Sequence, residues 1–282
     1  MKKLLLLFIT VIHMQAVMAD SSGKCGENLT WKYVYATKTL TIEGTGDMTN
    51  YASGFSVGSA PWRNFTIEKI IIGAEVTSIG NEAFYMLSKV ETIEIPNGVT
   101  TIGSKAFYGC SSLISINIPN SVTSIGDRVF QRCTGLISVT IGKGVTSIGG
   151  YAFNECENLA SIVVDSENPV YDSRDNCNAI INSSTNWLVR GCKNTIIPDD
   201  VVTLGSYAFH GCSGLSSISI PNSVIYIGAN TFEGCTGLTS ITIPNSVMSI
   251  GSLTFRECTN LTSVTLSDNI KLIGYGVFED CI

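Results

Sequence analysis

Histidine and charge are scarce in this sequence. Two His occur among 282 residues, and Asp, Glu, Lys and Arg together make up 14%. Histidine is the usual general base and a common metal ligand, so chemistry that depends on it has little to draw on. The chain has no Cys-x-x-Cys pair, which removes the usual zinc framework, and it carries no HExxH or P-loop string. Basic surplus is also lacking. The net charge is −6, whereas a nucleic-acid binder needs a basic face to neutralise phosphates. What the chain does have is apolar content, 44%, which excludes a disordered polypeptide; its 27 Gly follow no three-residue period, which excludes collagen.

The first 19 residues, MKKLLLLFITVIHMQAVMA, read as a secretory signal peptide. Lys2 and Lys3 give a positive start, Leu4 to Ile12 an apolar stretch, and Val17 and Ala19 a small-residue cleavage site. The apolar stretch falls short of the ~20 residues that span a bilayer. No second such run follows, so no transmembrane segment is expected. Cys25 follows Lys24 rather than a small residue, which argues against lipid attachment. Removal of the segment leaves 15 basic and 23 acidic residues, a net charge of −8, and a single histidine, His210.

A 23-residue period organises most of the remainder. Ile-Gly, or once Leu-Gly, recurs in one register with glycines at 80, 103, 126, 149, 205, 228, 251 and 274. Phe follows four residues after each Gly. Cys comes three residues after Phe in every copy but the first, which has Leu87. The interval from Gly149 to Gly205 equals one period plus a coil lengthened by ten residues.

The unit Cys110 to Ile125 can be read physically. Leu113, Ile116 and Ile118 are apolar with polar Ser115 and Asn117 beside them, the alternation of a half-buried strand. Pro119 and Asn120 end it, Val122 to Ile125 form a second extended piece, and Gly126 is expected to turn the chain with positive φ. Between Phe and Cys only one helical or 3₁₀ turn fits. One unit cannot bury its own apolar side, so the units must stack into a solenoid around one continuous core. The fold class is an α/β-type repeat solenoid. It is right-handed, with a parallel β-sheet on one face and short helical turns on the other.

These residues resemble the BspA-like leucine-rich repeat, whose signature is IxIPxSVTxIGxxAFxxCxxLxx. Asn120-Ser-Val-Thr-Ser-Ile-Gly126 and Asn245-Ser-Val-Met-Ser-Ile-Gly251 match it closely, and the resemblance spans about residues 67–282. CGENLTW (25–31), TLTIEGTGDM (39–48) and Pro61-Trp62 are similar to the module that often leads such arrays, and 168–181 with 191–198 to an elongated repeat of the family. The resemblance implies a secreted or surface bacterial protein with an adhesive or host-protein-binding role.

Two pieces depart from the period. Residues 20–66 read as a small antiparallel β cap: Leu29, Trp31, Tyr33 and Tyr35 alternate, as do Leu40 and Ile42. Trp31 and Trp62 are either the core of that cap or a sugar-binding platform. In 165–200, a hairpin turning between Ser184 and Thr185 places Cys177 opposite Cys192, the best disulfide candidate. The other repeat cysteines form a buried column of free thiols. Asp165, Glu167, Asp172, Asp175, Asp199 and Asp200 gather nearby, either as a solvated acidic loop or around calcium, although no EF-hand spacing is present. His210 occupies a slot that varies between copies, which places it at the surface.

On the main strands the outward pairs are Thr92 and Glu94, Ser115 and Asn117, Ser138 and Thr140, Ser217 and Ser219, Ser240 and Thr242, Ser263 and Thr265. Together they form a hydroxyl-rich, almost uncharged candidate face. Two functions follow: a non-enzymatic extracellular module that binds a protein or glycan along this face, or a passive spacer of the cell surface. Neither calls for a cofactor, a metal or nucleic acid. The chain stops in mid-repeat at Cys281-Ile282, so the expectation is either end-to-end association that covers the last coil or a chain that is a piece of a longer one.

Overall fold

The computed structural model describes residues 19–52 and 59–281. The signal-peptide segment therefore lies outside the described residues, apart from Ala19. From residue 67 onward the chain is a β-solenoid whose coils repeat every 23 residues, and two parallel ladders run along it.

The first ladder is built by alternation. In Ser115–Ile118 the side chains of Ile116 and Ile118 are buried while Ser115 and Asn117 face solvent. This strand pairs in parallel with Ser138–Ile141, which pairs with Ser161–Val164, each a full period on. Ser240–Thr242 pairs likewise with Ser263–Thr265. The expected single sheet is interrupted: residues 91–95 and 215–220 form no strand, so Thr92, Glu94, Ser217 and Ser219 sit between ladders. The second ladder is more nearly continuous. Val76–Ile79, Thr101–Ile102, Ser124–Ile125 and Ser147–Ile148 pair in succession. Trp187–Arg190, Thr203–Leu204, Tyr226–Ile227, Ser249–Ile250 and Leu272–Ile273 form its counterpart beyond the long coil.

The third side of each coil differs from expectation. Among the described residues there is no α-helix, and the only helical turn is the 3₁₀ turn Arg174–Asn176 in the long coil. The segment from Gly to Cys is a run of β-turns instead, and its backbone explains why. Two residues per coil take positive φ, such as Lys105 (54°) and Gly109 (70°), or Arg128 (56°) and Arg132 (62°). Alternate amides then leave the coil. Lys105, Phe107 and Gly109 donate to the carbonyls of Asp127, Val129 and Gln131 in the next coil, while Ala106 and Tyr108 donate within their own. A helix needs every amide for itself, so linking the coils excludes it. Gly126 is also corrected. Its φ is not positive, and the reason for glycine is close approach: a Cβ there would lie 2.6 Å from the Ser104 backbone N.

Inside, the repeat phenylalanines stack. Phe84, Phe107, Phe130 and Phe153 follow one another at 5.3–5.4 Å, and Phe209, Phe232, Phe255 and Phe278 at 5.2–5.5 Å. The thiols of Cys110, Cys133 and Cys156 donate to the carbonyls of Phe84, Phe107 and Phe130. The core is not continuous, however. It divides at the long coil into two hydrophobic clusters, because that coil has no Phe between Phe153 and Phe209. Its chain runs from Leu188 to Cys192 through Arg190 and Gly191, and Phe209 packs on the Gly191 backbone, where a Cβ would overlap the ring.

At the N-terminal end, Asn28–Val34 pairs antiparallel with Thr39–Asp47. The latter pairs in parallel first with Lys69–Ile72 and then with Val76–Ile79, so it feeds both ladders. Trp31 and Trp62 are buried edge to face at 5.8 Å, and Trp62 donates its indole N–H to the Ala83 carbonyl. Both rings are core, which leaves no platform.

Candidate functional site

The strand face presents the side chains expected of it. Thr92, Glu94, Ser115, Asn117, Thr140, Ser217, Ser219, Ser240, Thr242, Ser263 and Thr265 are exposed, and Ser138 is half-buried. Three open grooves lie along it. One, of about 580 Å³, runs beside Lys69–Ile72, Thr92 and Glu94. A second, of about 610 Å³, lies beside Asn117, Thr140 and Val163. The third, of about 660 Å³, is lined by Ser217, Ser219, Ser240, Thr242 and Thr265.

This face is less uniform than its hydroxyls suggest. Ile71 and Val163 are exposed in the column of Glu94, Asn117 and Thr140. Ile114 and Ile137 are exposed in the adjoining column, where the last coils have Thr239 and Thr262. Sequence alternation named only the paired outward polar residues of each strand and left these aliphatic positions unassigned.

A second exposed stripe was also missed. Trp187, Tyr226 and Leu272 face outward on the second ladder, with Ile225 and Met248 beside them. The signal was available: Tyr226 and Leu272 stand in slots that hold Thr101, Ser124 and Ser147 earlier in the chain.

The long coil forms the expected hairpin, Ile180–Asn182 against Trp187–Arg190. Asn182 fixes its turn by accepting the amides of Ser184 and Thr185. Pairing follows the expected register at Ile181 and Asn182, but a bulge between Ile180 and Ile181 shifts it by one. Cys177 therefore no longer faces Cys192. Both are buried free thiols, Cys177 directed to the Ala179 carbonyl and Cys192 to that of Asn178. Three of the six carboxylates of the acidic loop have basic partners. Arg174 bonds Asp172 and Asp200, and Lys143 bonds Glu167 at 2.7 Å. No group of three or more metal-binding side chains occurs among the described residues.

His210 is half-buried rather than fully at the surface. Its Nε2 lies 3.5 Å from Glu233 Oε2, and its Nδ1 is buried without a partner. Burial lowers its pKa, against the pull of Glu233. The string Gly54-Phe-Ser-Val-Gly58 has the spacing of a nucleophile elbow and lies outside the described residues. Such an elbow leads into a helix, whereas the residues after it, 61–64, form turns.

Burial pushes the Cys110, Cys156 and Cys258 thiols up to about 12, so they carry almost no thiolate at neutral pH. No helix among the described residues is long and apolar enough to cross a membrane.

Comparison with known proteins agrees with this geometry. The model of the BspA-type leucine-rich repeat region matches residues 56–178 and 180–282, in six copies. A leucine-rich repeat protein from Eubacterium ventriosum is similar at 25% identity with a TM-score of 0.73; the match covers 94% of this chain and 77% of that one. The pneumococcal vaccine antigen PcpA shares the fold at 18% identity and a TM-score of 0.50, over 93% of this chain and 86% of that one. Among curated proteins none matches.

Proposed function

The chain belongs to the BspA-type leucine-rich repeat family, and from that premise we propose that it is a non-enzymatic extracellular binding module that docks a protein or glycan along its strand face. The observation that carries this reading is the set of three open grooves on that one face. Solenoids bind along such extended surfaces because stacking repeats a contact at fixed intervals. Exposed Ile71, Ile114, Ile137 and Val163 add apolar contact area between the hydroxyls. The signal-peptide reading of residues 1–19 supports the extracellular address.

The test is interferometry of the protein against matrix proteins, mucins and a glycan array. Saturable binding is expected, and the combined Ser115→Lys, Asn117→Lys, Ser240→Lys and Thr242→Lys variant should abolish it. Silence across the panel defeats this reading. A passive surface spacer would then lead, favoured by the lack of aromatic and Arg anchors among the twelve strand-face residues.

A further inference from the structure

Where the Phe stack breaks, Arg190 is buried, only 4% exposed. Its Nη1 donates to Asn154 Oδ1 at 3.2 Å and to the carbonyls of Tyr207 at 3.1 Å and His210 at 3.3 Å. Nη2 donates to the same His210 carbonyl at 3.3 Å and approaches Cys212 Sγ at 3.7 Å. Every one of these partners is neutral, and no carboxylate pairs with Arg190 among the described residues. A buried cation without a counter-charge is costly, which makes this position unusual.

Two donors at the same place are unused. Arg190 Nε has no partner, nor has Nδ2 of Asn154, a side chain only 2% exposed. The two side chains are in contact, because Asn154 Oδ1 accepts from Arg190 Nη1. Both residues line a cavity of about 190 Å³ between the coils of Phe153 and Tyr207. Its other walls include Ile148, Phe153 and Val189. The rings of Tyr151 and Tyr207 meet at 4.6 Å on its border, and the Arg128 guanidinium lies 5.2 Å over Tyr151. The cavity exists because the long coil spends its residues on the hairpin and omits the turn segment that fills this position elsewhere.

We propose that this cavity binds a small carboxylate. One uncompensated positive charge, the Arg190 Nε–H and the Asn154 amide NH2 match a monoanion with two acceptor oxygens. A phosphate dianion would bring twice the charge and more oxygens than there are donors. The apolar walls and tyrosine rings accept a short hydrocarbon or ring body attached to the carboxylate. The site lies at the junction of the two hydrophobic clusters, so occupancy would fasten one array of coils to the other.

The test is acetate titration of the full chain at constant ionic strength, with chloride and phosphate as comparison anions. Acetate should raise the thermal midpoint saturably, by about 5–10 °C at 100-fold excess over its Kd, and should shift the Arg190 Nε–H resonance. Asn154→Asp supplies a carboxylate from the chain itself; it should raise the midpoint without ligand and remove the response to acetate. Arg190→Met should also remove the response. If Arg190→Met fails to fold, the wild-type titration and Asn154→Asp still decide. The proposal is overturned if acetate, phosphate and chloride act alike, if Asn154→Asp responds as the wild type does, or if the Nε–H resonance does not move.

Discussion

The two arrays on either side of the long coil share their interior and differ on their surfaces. Inside, each has four stacked Phe rings and thiols bonded to the preceding Phe carbonyl. Outside, the apolar character changes sides. In the first array Ile114 and Ile137 are exposed on the strand face, while the second ladder is bordered by threonines. Thr100, Thr123 and Thr146 each donate a hydroxyl to the carbonyl of the threonine one coil back. In the second array the strand face holds hydroxyls, and Ile225 and Met248 are exposed at the equivalent of the threonine border, with Tyr226 exposed beside them. The difference teaches that stacking dictates the inward residues only. The outward columns are free to specialise, and each array presents a different surface.

The shared interior is the strongest part of the comparison, so breaking it should have the largest effect. Phe130 is fully buried between Phe107 and Phe153. Phe130→Ala should cost about 3–5 kcal/mol in chemical denaturation. Phe278 stacks on Phe255 alone and is 39% exposed, so Phe278→Ala should cost below about 1.5 kcal/mol. Equal losses would show that the stack does not share its load as described.

The junction comes next. Gly191→Ala drives a methyl into the Phe209 ring and should cost about 1–3 kcal/mol. Gly150→Ala, whose Cβ would meet nothing nearer than Asp127 Oδ1 at 3.8 Å, should stay within about 0.5 kcal/mol. Native-state hydrogen exchange on Gly191→Ala should show faster opening beside Phe209 than beside Phe107.

The repeat made the interior legible from sequence. Periodic Ile, Phe and Cys can be inward only once coils stack, and the extended piece Val122 to Ile125 reads directly into the second ladder. The turn side was illegible for a physical reason. Lys105 and Arg128 carry no mark of positive φ, and the amides that leave the coil depend on a neighbour that no single unit contains. The strand face was half legible: alternation found Ser115 and Asn117, but not exposed Ile114, which precedes the alternating stretch. Arg190 was overlooked because the ten-residue insertion hid its register, and one extra bulge residue separated Cys177 from Cys192.

His210 sharpens the comparison through pH. Its slot holds Tyr85, Tyr108, Gln131 and Asn154 in the first array, so only the second array titrates here. Burial holds the folded pKa below the ordinary value, about 6.5 in an unfolded chain. Above that pH both states are neutral and folding is unaffected. As pH falls through 6.5 the unfolded chain takes up its proton first, so stability declines until the folded pKa is reached. Denaturation midpoints at pH 7.5 and 5.5 should differ more for the wild type than for His210→Asn. An equal pH slope in both would remove His210 from the account.

The smallest expected effect separates the inner coils from the last. Cys258 is buried and its thiol is pushed up to about 12, whereas Cys281 is half-buried, although its pKa is raised as well. Thiolate is the species that alkylates, but it must also meet the reagent. In native protein at pH 8, iodoacetamide should label Cys281 first and leave the other nine cysteines for denaturant. Mass spectrometry of the digested protein reads this directly. If Cys133 or Cys235 were labelled as fast as Cys281, the inner coils would be opening as readily as the last, and the closed column of thiols would have to be abandoned.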